Sequence, residues 1–404
     1  MKNVTERGTN LTKQKKKVAK VAPDFILLIM ILLIVGFGII MVYSASYHAA
    51  TNMGKPPTFF AMKQFFIGIA GIILMLFIAY RLNYRILSNM FLAKLLYGLS
   101  ILLSISVMFI GETVNGATRW IKIGPLQFQP SEIAKIAVVL MLSSYIIKHR
   151  KEMNKLQYII GGWVIVLVPT LTVAIENLSS AIVIFFIGLM IMFVSSPKVW
   201  YYLVFMGIGI TLAMAVYGLA MTTEPDEELN IPIVKHILKP YRLDRIRVWK
   251  NPWLDPLGKG YQPIQALYSV GSGGIFGAGL GKSVQKQNFL PEPHNDVIFA
   301  VICEELGLVG ALLLLLGYGI LVVRGLVIAI RATDYFGTLV AVGISTMVGI
   351  QVLINVAVNT NTIPTTGMQL PLISYGGTAL AILLATLGLL LNISRTASIE
   401  KLSR

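Results

Sequence analysis

Cysteine is almost absent: among 404 residues only Cys303 carries a thiol. No intrachain disulfide can staple a loop and no thiol pair can ligate a metal. Cys303 itself falls in an apolar run, where it is expected to pack as a small apolar side chain. Charge is also scarce, at 13% of residues against 56% hydrophobic, where a soluble globular chain carries about 25%. Acid is the scarcer sign, with 18 Asp and Glu against 34 Lys and Arg, for a formal net charge of +16. That excess does not point to nucleic acid. The basic residues lie in tails and interhelical loops, without an interleaved aromatic stripe or a nucleic-acid fold signature, so the expected partner is anionic membrane lipid and no nucleic acid. Internal repeats are absent too, and low complexity is confined to a basic amino tail.

What the chain has instead is long apolar runs. Segments of about 17 to 25 apolar residues can cross a bilayer core about 30 Å thick. Ten are present, at about 25–46, 62–80, 91–110, 130–147, 156–174, 178–195, 199–221, 296–323, 336–358 and 371–393. The expected fold is an all-α polytopic membrane protein. The first run follows Lys13, Lys15, Lys16, Lys17 and Lys20 in the manner of a signal peptide, but it is too long for a cleaved one and is read as a retained helix. Basic residues favour the cytoplasmic side of short loops. Arg81, Arg85, Lys148, Arg150, Lys151, Lys155, Lys198, Arg324 and Arg331 fall on one side of the ten spans, and only Lys55, Arg119 and Lys122 in short loops on the other. Both termini are therefore expected in the cytoplasm. The organisation reads as a basic tail over 1–24, a ten-helix membrane domain over 25–395, and a short cytoplasmic tail over 396–404. A large extracellular loop, 222–295, joins the seventh and eighth helices; within it, His236 to Trp249 reads as a surface amphipathic helix anchored by Tyr241 and Trp249.

The candidate chemistry gathers at the outer ends. Gly277-Ala-Gly-Leu-Gly-Lys-Ser283 imitates a phosphate-binding loop, but Phe276 stands where that motif needs its first Gly. The turn, with Lys282 and Lys286, can still offer N–H groups and cations to an external anion, or serve only as a re-entrant loop. Asp296 opens the eighth run beside His294 and Glu292. It reads as a helix cap or as a general base whose pKa a dehydrated boundary would raise. Glu304 and Glu305, two turns further on, need a partner at membrane depth; Lys135 and buried hydroxyls are candidates, and an ion or proton path is the functional alternative. Gly116-Ala-Thr-Arg119-Trp120-Ile-Lys122 precedes Gln129-Pro-Ser-Glu132-Ile-Ala-Lys135. Cations before a helix start suit an anionic headgroup, or mere anchoring to phospholipid. Pro364 to Gly377, with Ser374 and Tyr375, breaks the helix pattern where the tenth span begins. Irregular backbone at that depth must line protein or a cavity.

These motifs together resemble the SEDS family (shape, elongation, division and sporulation proteins). The matching pieces include Val42-Tyr-Ser-Ala-Ser46, Gly116-Ala-Thr-Arg-Trp-Ile121, Gln129-Pro-Ser-Glu-Ile-Ala-Lys135, and Arg242 and Arg245 before Asn251-Pro-Trp-Leu-Asp255. Phe289-Leu-Pro-Glu292, His294, Asp296, Glu304-Glu-Leu-Gly307 and Leu370-Pro-Leu-Ile-Ser-Tyr-Gly-Gly377 continue the match over nearly the whole chain. The chain departs from the family pattern at Pro293 and Asn295 and at Glu176-Asn177, where an acidic motif is usual. The resemblance implies a peptidoglycan glycosyltransferase that polymerises lipid II on the outer face of the cytoplasmic membrane, with a class B penicillin-binding protein and other division proteins as partners. It implies Asp296 as the catalytic residue and Trp120 in the substrate loop. Arg119, Lys122, Glu132, Lys135, Arg242, Arg245, Lys282, Lys286, Glu292, His294, Ser374 and Tyr375 are then the expected substrate contacts, and the cofactor stays unassigned, with Mg or Mn at the pyrophosphate as the candidate. The Leu-Pro-Leu-Ile-Ser-Tyr-Gly-Gly motif and the Leu391-Asn-Ile-Ser-Arg395 ending favour the division branch and a septal location, with sporulation and elongation branches as alternatives. A lipid II flippase and a non-enzymatic division scaffold are the rival readings.

Overall fold

The computed structural model describes residues 22–114, 117–123, 126–196, 200–222, 240–287 and 289–402. The basic amino tail before residue 22 and the acidic stretch 223–230 lie outside them. Ten helices are long and apolar enough to cross a membrane: α1 (Phe25–Asn52), α2 (Phe59–Arg81), α3 (Met90–Ile110), α4 (Pro130–Lys148), α5 (Leu156–Ala174), α6 (Leu178–Ser195), α7 (Trp200–Thr222), α10 (Ile298–Arg331), α11 (Tyr335–Asn359) and α12 (Thr378–Leu402). Two short helices, α8 (Pro240–Lys250) and α9 (Tyr261–Ser272), lie in the segment between α7 and α10. The helical reading holds with one addition. Residues 112–128 carry a three-stranded antiparallel sheet in order β1 (Glu112–Val114), β2 (Ala117–Ile123), β3 (Leu126–Phe128). Span boundaries also move: α1 runs on to Asn52 and α10 to Arg331, six and eight residues past the expected ends, and the last helix starts at Thr378 and not near 371 and runs to Leu402 through much of the expected tail.

Backbone groups in lipid must be satisfied internally, which is why apolar runs become helices here. The ends are capped by side chains. Asp24, Asn89, Asn177 and Asp334 each accept from a backbone N–H in the first turn of α1, α3, α6 and α11. At the end expected to face the cytoplasm, Arg324 of α10 pairs with Asp24, whose N–H donates to Ser394 of α12. There too Asp334 receives the Tyr84 hydroxyl and Arg85. In the interior, α4, α11 and α12 are the most buried spans, each 72% buried over its apolar window, whereas α7 is only 8% buried. α7 therefore lies at the edge of the bundle.

α10 is longer than a single bilayer crossing needs. Its 34 residues would span about 51 Å at 1.5 Å per residue, about 20 Å more than an apolar core of about 30 Å. The surplus is a separate half-helix. Gly307 has φ 67° and ψ −168° and breaks the helix, and the loop after α9 docks on the break. Ala278 and Gly279 donate N–H groups to the Glu304 and Glu305 carbonyls (2.9 and 2.9 Å), and Leu308 and Val309 donate to Gly274 and Ile275 (2.9 and 3.1 Å). Backbone approaches backbone so closely that a Cβ on Gly273, Gly277 or Gly307 would collide with it. This is the irregular backbone at membrane depth that only a protein-lined setting tolerates.

Candidate functional site

A pocket of about 510 Å³ opens at one end of the bundle, the end expected to face outward. It is built from the end of α1 (Ala49) and its C-cap Met53, the first turns of α2, α4, α6 and α12, strand β2, and the two irregular segments 291–296 and 367–376. α4 starts at Pro130, which has no N–H to lose, and α6 is capped by Asn177, whose side chain accepts from the Ser180 N–H (3.1 Å). Gln129, Glu132, Asn177 and Ser180 all line the pocket, so two helix N-termini present their positive ends to it.

Asp296 sits on the pocket wall, just before the N-cap Val297 of α10, and the helix has no side-chain cap. The capping alternative for Asp296 thus has no bond to rest on. Its backbone carbonyl is held by the amides of Asn355 (2.8 Å) and Asn359 (3.0 Å) of α11. Burial raises the carboxyl pKa above the ordinary aspartate value and Glu292 adds to this, while a bond from the residue's own backbone, Arg245 and Arg119 oppose it. Arg119 donates to the Glu176 carbonyl (3.3 Å) and Arg245 to the Thr365 carbonyl (3.1 Å). Both arginines line the pocket, and Gly367 lies between Arg119 and Asp296: a Cβ there would be 3.2 Å from Arg119 Nη1 and 3.5 Å from Asp296 Oδ2. At the 176–177 departure, the Glu176 carbonyl accepts from Arg119 and Asn177 caps α6.

The turn before Asp296 is held from several sides. Glu292 takes a left-handed φ of 44° and accepts from the Asn295 amide (2.6 Å). The His294 carbonyl accepts from Tyr375 N–H (2.9 Å), and the Asn295 carbonyl from the Ser374 hydroxyl (2.7 Å). The His294 ring lies 4.5 Å from Phe60 and 5.6 Å from Tyr375. Burial lowers its pKa to about 4 against the opposing charge of Glu292, so the imidazole is neutral at physiological pH. Its Nδ1 is buried and has no hydrogen-bond partner among the described residues.

Of the expected contacts, Asp296, Trp120, Arg119, Glu132, Arg245, His294, Glu292, Ser374 and Tyr375 line this one pocket. Four do not. Lys122 is exposed on β2, 3.4 Å from Glu112, and Lys282 is exposed on the loop. Lys135 is fully buried beneath the pocket, 2.8 Å from Glu132. Lys286 is buried as well and pairs with Glu305 at 2.5 Å, which corrects two expectations: Lys286 does not face an external anion, and Lys286 rather than Lys135 is the cation beside Glu305. The Arg242 and Tyr241 side chains lie outside the described residues. Trp249, expected as an interfacial anchor, instead donates to the Asn361 carbonyl (2.9 Å), docking α8 onto the loop that carries Gly367. Among the described residues no group of three His, Cys, Asp or Glu could hold a metal ion.

The expected contacts leave out Gln262, Gln351 and Gly367 in the pocket and Asn355 and Asn359 behind it. A signal existed for part of this set. Gln351, Asn355 and Asn359 recur every four residues in an apolar span, which places three amides on one helix face.

A family model for FtsW, RodA and SpoVE, described as a cell cycle protein, matches residues 25–399. Stage V sporulation protein E of Bacillus subtilis (strain 168) is 37% identical over 381 residues, covering 93% of this chain and 98% of the relative. A probable peptidoglycan glycosyltransferase FtsW of Halothiobacillus neapolitanus is 34% identical over 389 residues, covering 95% and 89%. Among solved structures, a chain from a peptidoglycan synthase complex superposes with a TM-score of 0.73 at 30% identity, covering 93% and 98%. The rod shape determining protein RodA of Thermus thermophilus superposes with a TM-score of 0.62 at 27% identity, covering 93% and 97%. With its pocket at one end of a ten-span bundle and this extent of similarity, the chain belongs to the FtsW/RodA/SpoVE family of cell cycle proteins, the SEDS family.

Proposed function

We propose that the protein is a peptidoglycan glycosyltransferase that polymerises lipid II at the outer face of the cytoplasmic membrane, with Asp296 as general base. The observation that carries this reading is the grouping of one half-buried carboxylate of raised pKa with two arginines and two helix N-termini around a single pocket. Asp296 takes the proton of the acceptor sugar hydroxyl. The hydroxyl oxygen forms a bond to the anomeric carbon of the donor while the bond from that carbon to the pyrophosphate breaks. A neutral acceptor hydroxyl is a weak nucleophile, and a base with a pKa nearer to ambient pH removes its proton most effectively. The pyrophosphate leaves as an anion, so no second carboxylic acid is needed to protonate it, unlike the alcohol released in glycoside hydrolysis. Arg119 and Arg245 and the α4 and α6 N-termini supply the opposing charge at fixed positions. Met53, Leu380 and Leu383 give the pocket an apolar side that suits a polyprenyl tail.

The partner is inferred as a class B penicillin-binding protein, on the strength of the neighbour solved in a peptidoglycan synthase complex. A septal location accords with the division-named relatives; a fluorescent fusion spread evenly over the envelope would refute it. A flippase would draw polar side chains through both membrane halves, whereas the described pocket stays at one end and the deep charges Lys135 and Glu305 are paired. The deciding experiment is polymerisation by the purified chain with its partner. Asp296→Asn should lower kcat by about 10²- to 10⁴-fold while the protein still folds and binds lipid II. Polymer made at the wild-type rate would sink the base assignment.

A further inference from the structure

The turn that imitates a phosphate loop does bind anions, and they are the protein's own. Glu304 Oε1 accepts the backbone N–H of Val284 (2.7 Å) and Gln285 (3.2 Å), and its Oε2 accepts the hydroxyls of Ser283 (2.5 Å) and Ser269 (2.8 Å). Glu305 accepts Lys286 Nζ (2.5 Å) and both of its oxygens accept the Ser44 hydroxyl of α1 (2.7 and 2.8 Å). Every residue from Ser283 to Lys286 is thus bound to one of two adjacent carboxylates, and Ser44 also receives Lys286 Nζ at 2.8 Å. Glu304, Glu305, Ser283, Lys286 and Ser44 are all buried.

Burying such a pair is poor value for stability alone, because desolvation of the two ions offsets most of their attraction; the best-attested use of a buried pair is to fix register. Here the register has a destination. Ten residues beyond Lys286 stands Asp296, and the intervening segment supplies Pro291, Glu292, His294 and Asn295 to the pocket wall. The other end of that segment is the half-helix of α10, which carries Glu304 and Glu305 and ends at the Gly307 break. We infer that Glu304 and Glu305 clamp Ser283–Lys286 so that the segment leading to Asp296 closes at one fixed length, making Lys286 and Glu305 positioning residues for the glycosyl transfer. This rests on the assignment of Asp296 as base.

The test uses the full chain with its partner and a polyprenyl-pyrophosphate disaccharide precursor, reading kcat, KM and the melting temperature. Lys286→Met and Glu305→Gln should each lower kcat by about tenfold or more, the scale of coupling between contacting groups, with KM within about twofold, since the pocket's arginines are untouched. Lys286→Arg, which keeps the charge, should recover most of the rate. Should either neutral variant fail to fold, Glu305→Asp keeps the charge and shortens the reach by one methylene; it should melt as wild type and still lose kcat. Wild-type kcat in Lys286→Met, or in Glu305→Asp where that stands in, overturns the clamp, and so does a raised KM at unchanged kcat. Asp296→Asn run in parallel separates the two ideas: an active Asp296→Asn beside slow clamp variants refutes the base alone, and an inactive one beside wild-type clamp variants refutes the clamp alone.

Discussion

Gly367→Ala tests the geometry of the site more sharply than removal of a charge, because it adds one methyl group and deletes nothing. Gly367 has φ +69°, and its Cβ would lie 3.2 Å from Arg119 Nη1 and 3.5 Å from Asp296 Oδ2. The methyl group acts in two ways. The left-handed backbone costs an alanine about 1 kcal/mol of stability. The contact at 3.2 Å obliges the guanidinium to retreat by a few tenths of an ångström, and the methyl shields the carboxylate from it. Misplacement by about 1 Å can lower a rate about 10²-fold, so a shift of this smaller size should lower kcat by about three- to tenfold. The control is Gly54→Ala, at φ +66° in the turn after α1 with nothing within 4 Å of the added Cβ. It should lose the same ~1 kcal/mol with no change in rate. Thermal melting and lipid II polymerisation, measured on both variants, separate the contributions. If Gly367→Ala polymerises at the wild-type rate, or if both variants lose activity equally, Arg119 and Asp296 do not work together as the site requires.

Two pH effects have definite signs. His294 has a folded pKa of about 4 against the ordinary 6.5, so between those values the unfolded chain takes up a proton that the folded one does not. Stability from this residue is therefore complete above pH 6.5 and lost progressively toward pH 4, by about 3 kcal/mol in all; His294→Gln should flatten that part of the curve, and an unchanged acid slope would refute the neutral buried ring. Asp296 shifts the other way. Its folded pKa lies above 3.8, so its carboxyl form favours folding and ionisation as pH rises through the folded value removes that stability. Asp296→Asn should melt no lower than wild type at neutral pH, and the wild-type kcat/KM should fall on acidification with an inflection above 3.8. A rate that stays level down to that pH would exclude Asp296 as the base.

What the sequence determined by itself is the part of the protein governed by local or additive physics. A bilayer admits only backbone that satisfies its own hydrogen bonds, so apolar run length alone was enough to find all ten spans, with starts from α1 at Phe25 to α11 at Tyr335 within about three residues and some ends several residues further on. The motif residues near Asp296, Arg119 and Ser374 were legible as chemistry because polar groups at the border of an apolar run need a reason to be there. What only the tertiary structure decided is which groups meet. Lys286 and Lys282 stand four residues apart on the same turn, yet one is buried against Glu305 and the other faces outward. Spacing along an irregular segment carries no periodicity from which a direction could be read. Glu304 and Glu305 announced that a partner must exist, and Lys135 and buried hydroxyls were the candidates; the Gly307 break brings the loop after α9 against α10 and with it Lys286. Gly367 showed no chemical signal at all, since its role is to leave room between Arg119 and Asp296, and an absence of atoms becomes visible only when the neighbours are in place.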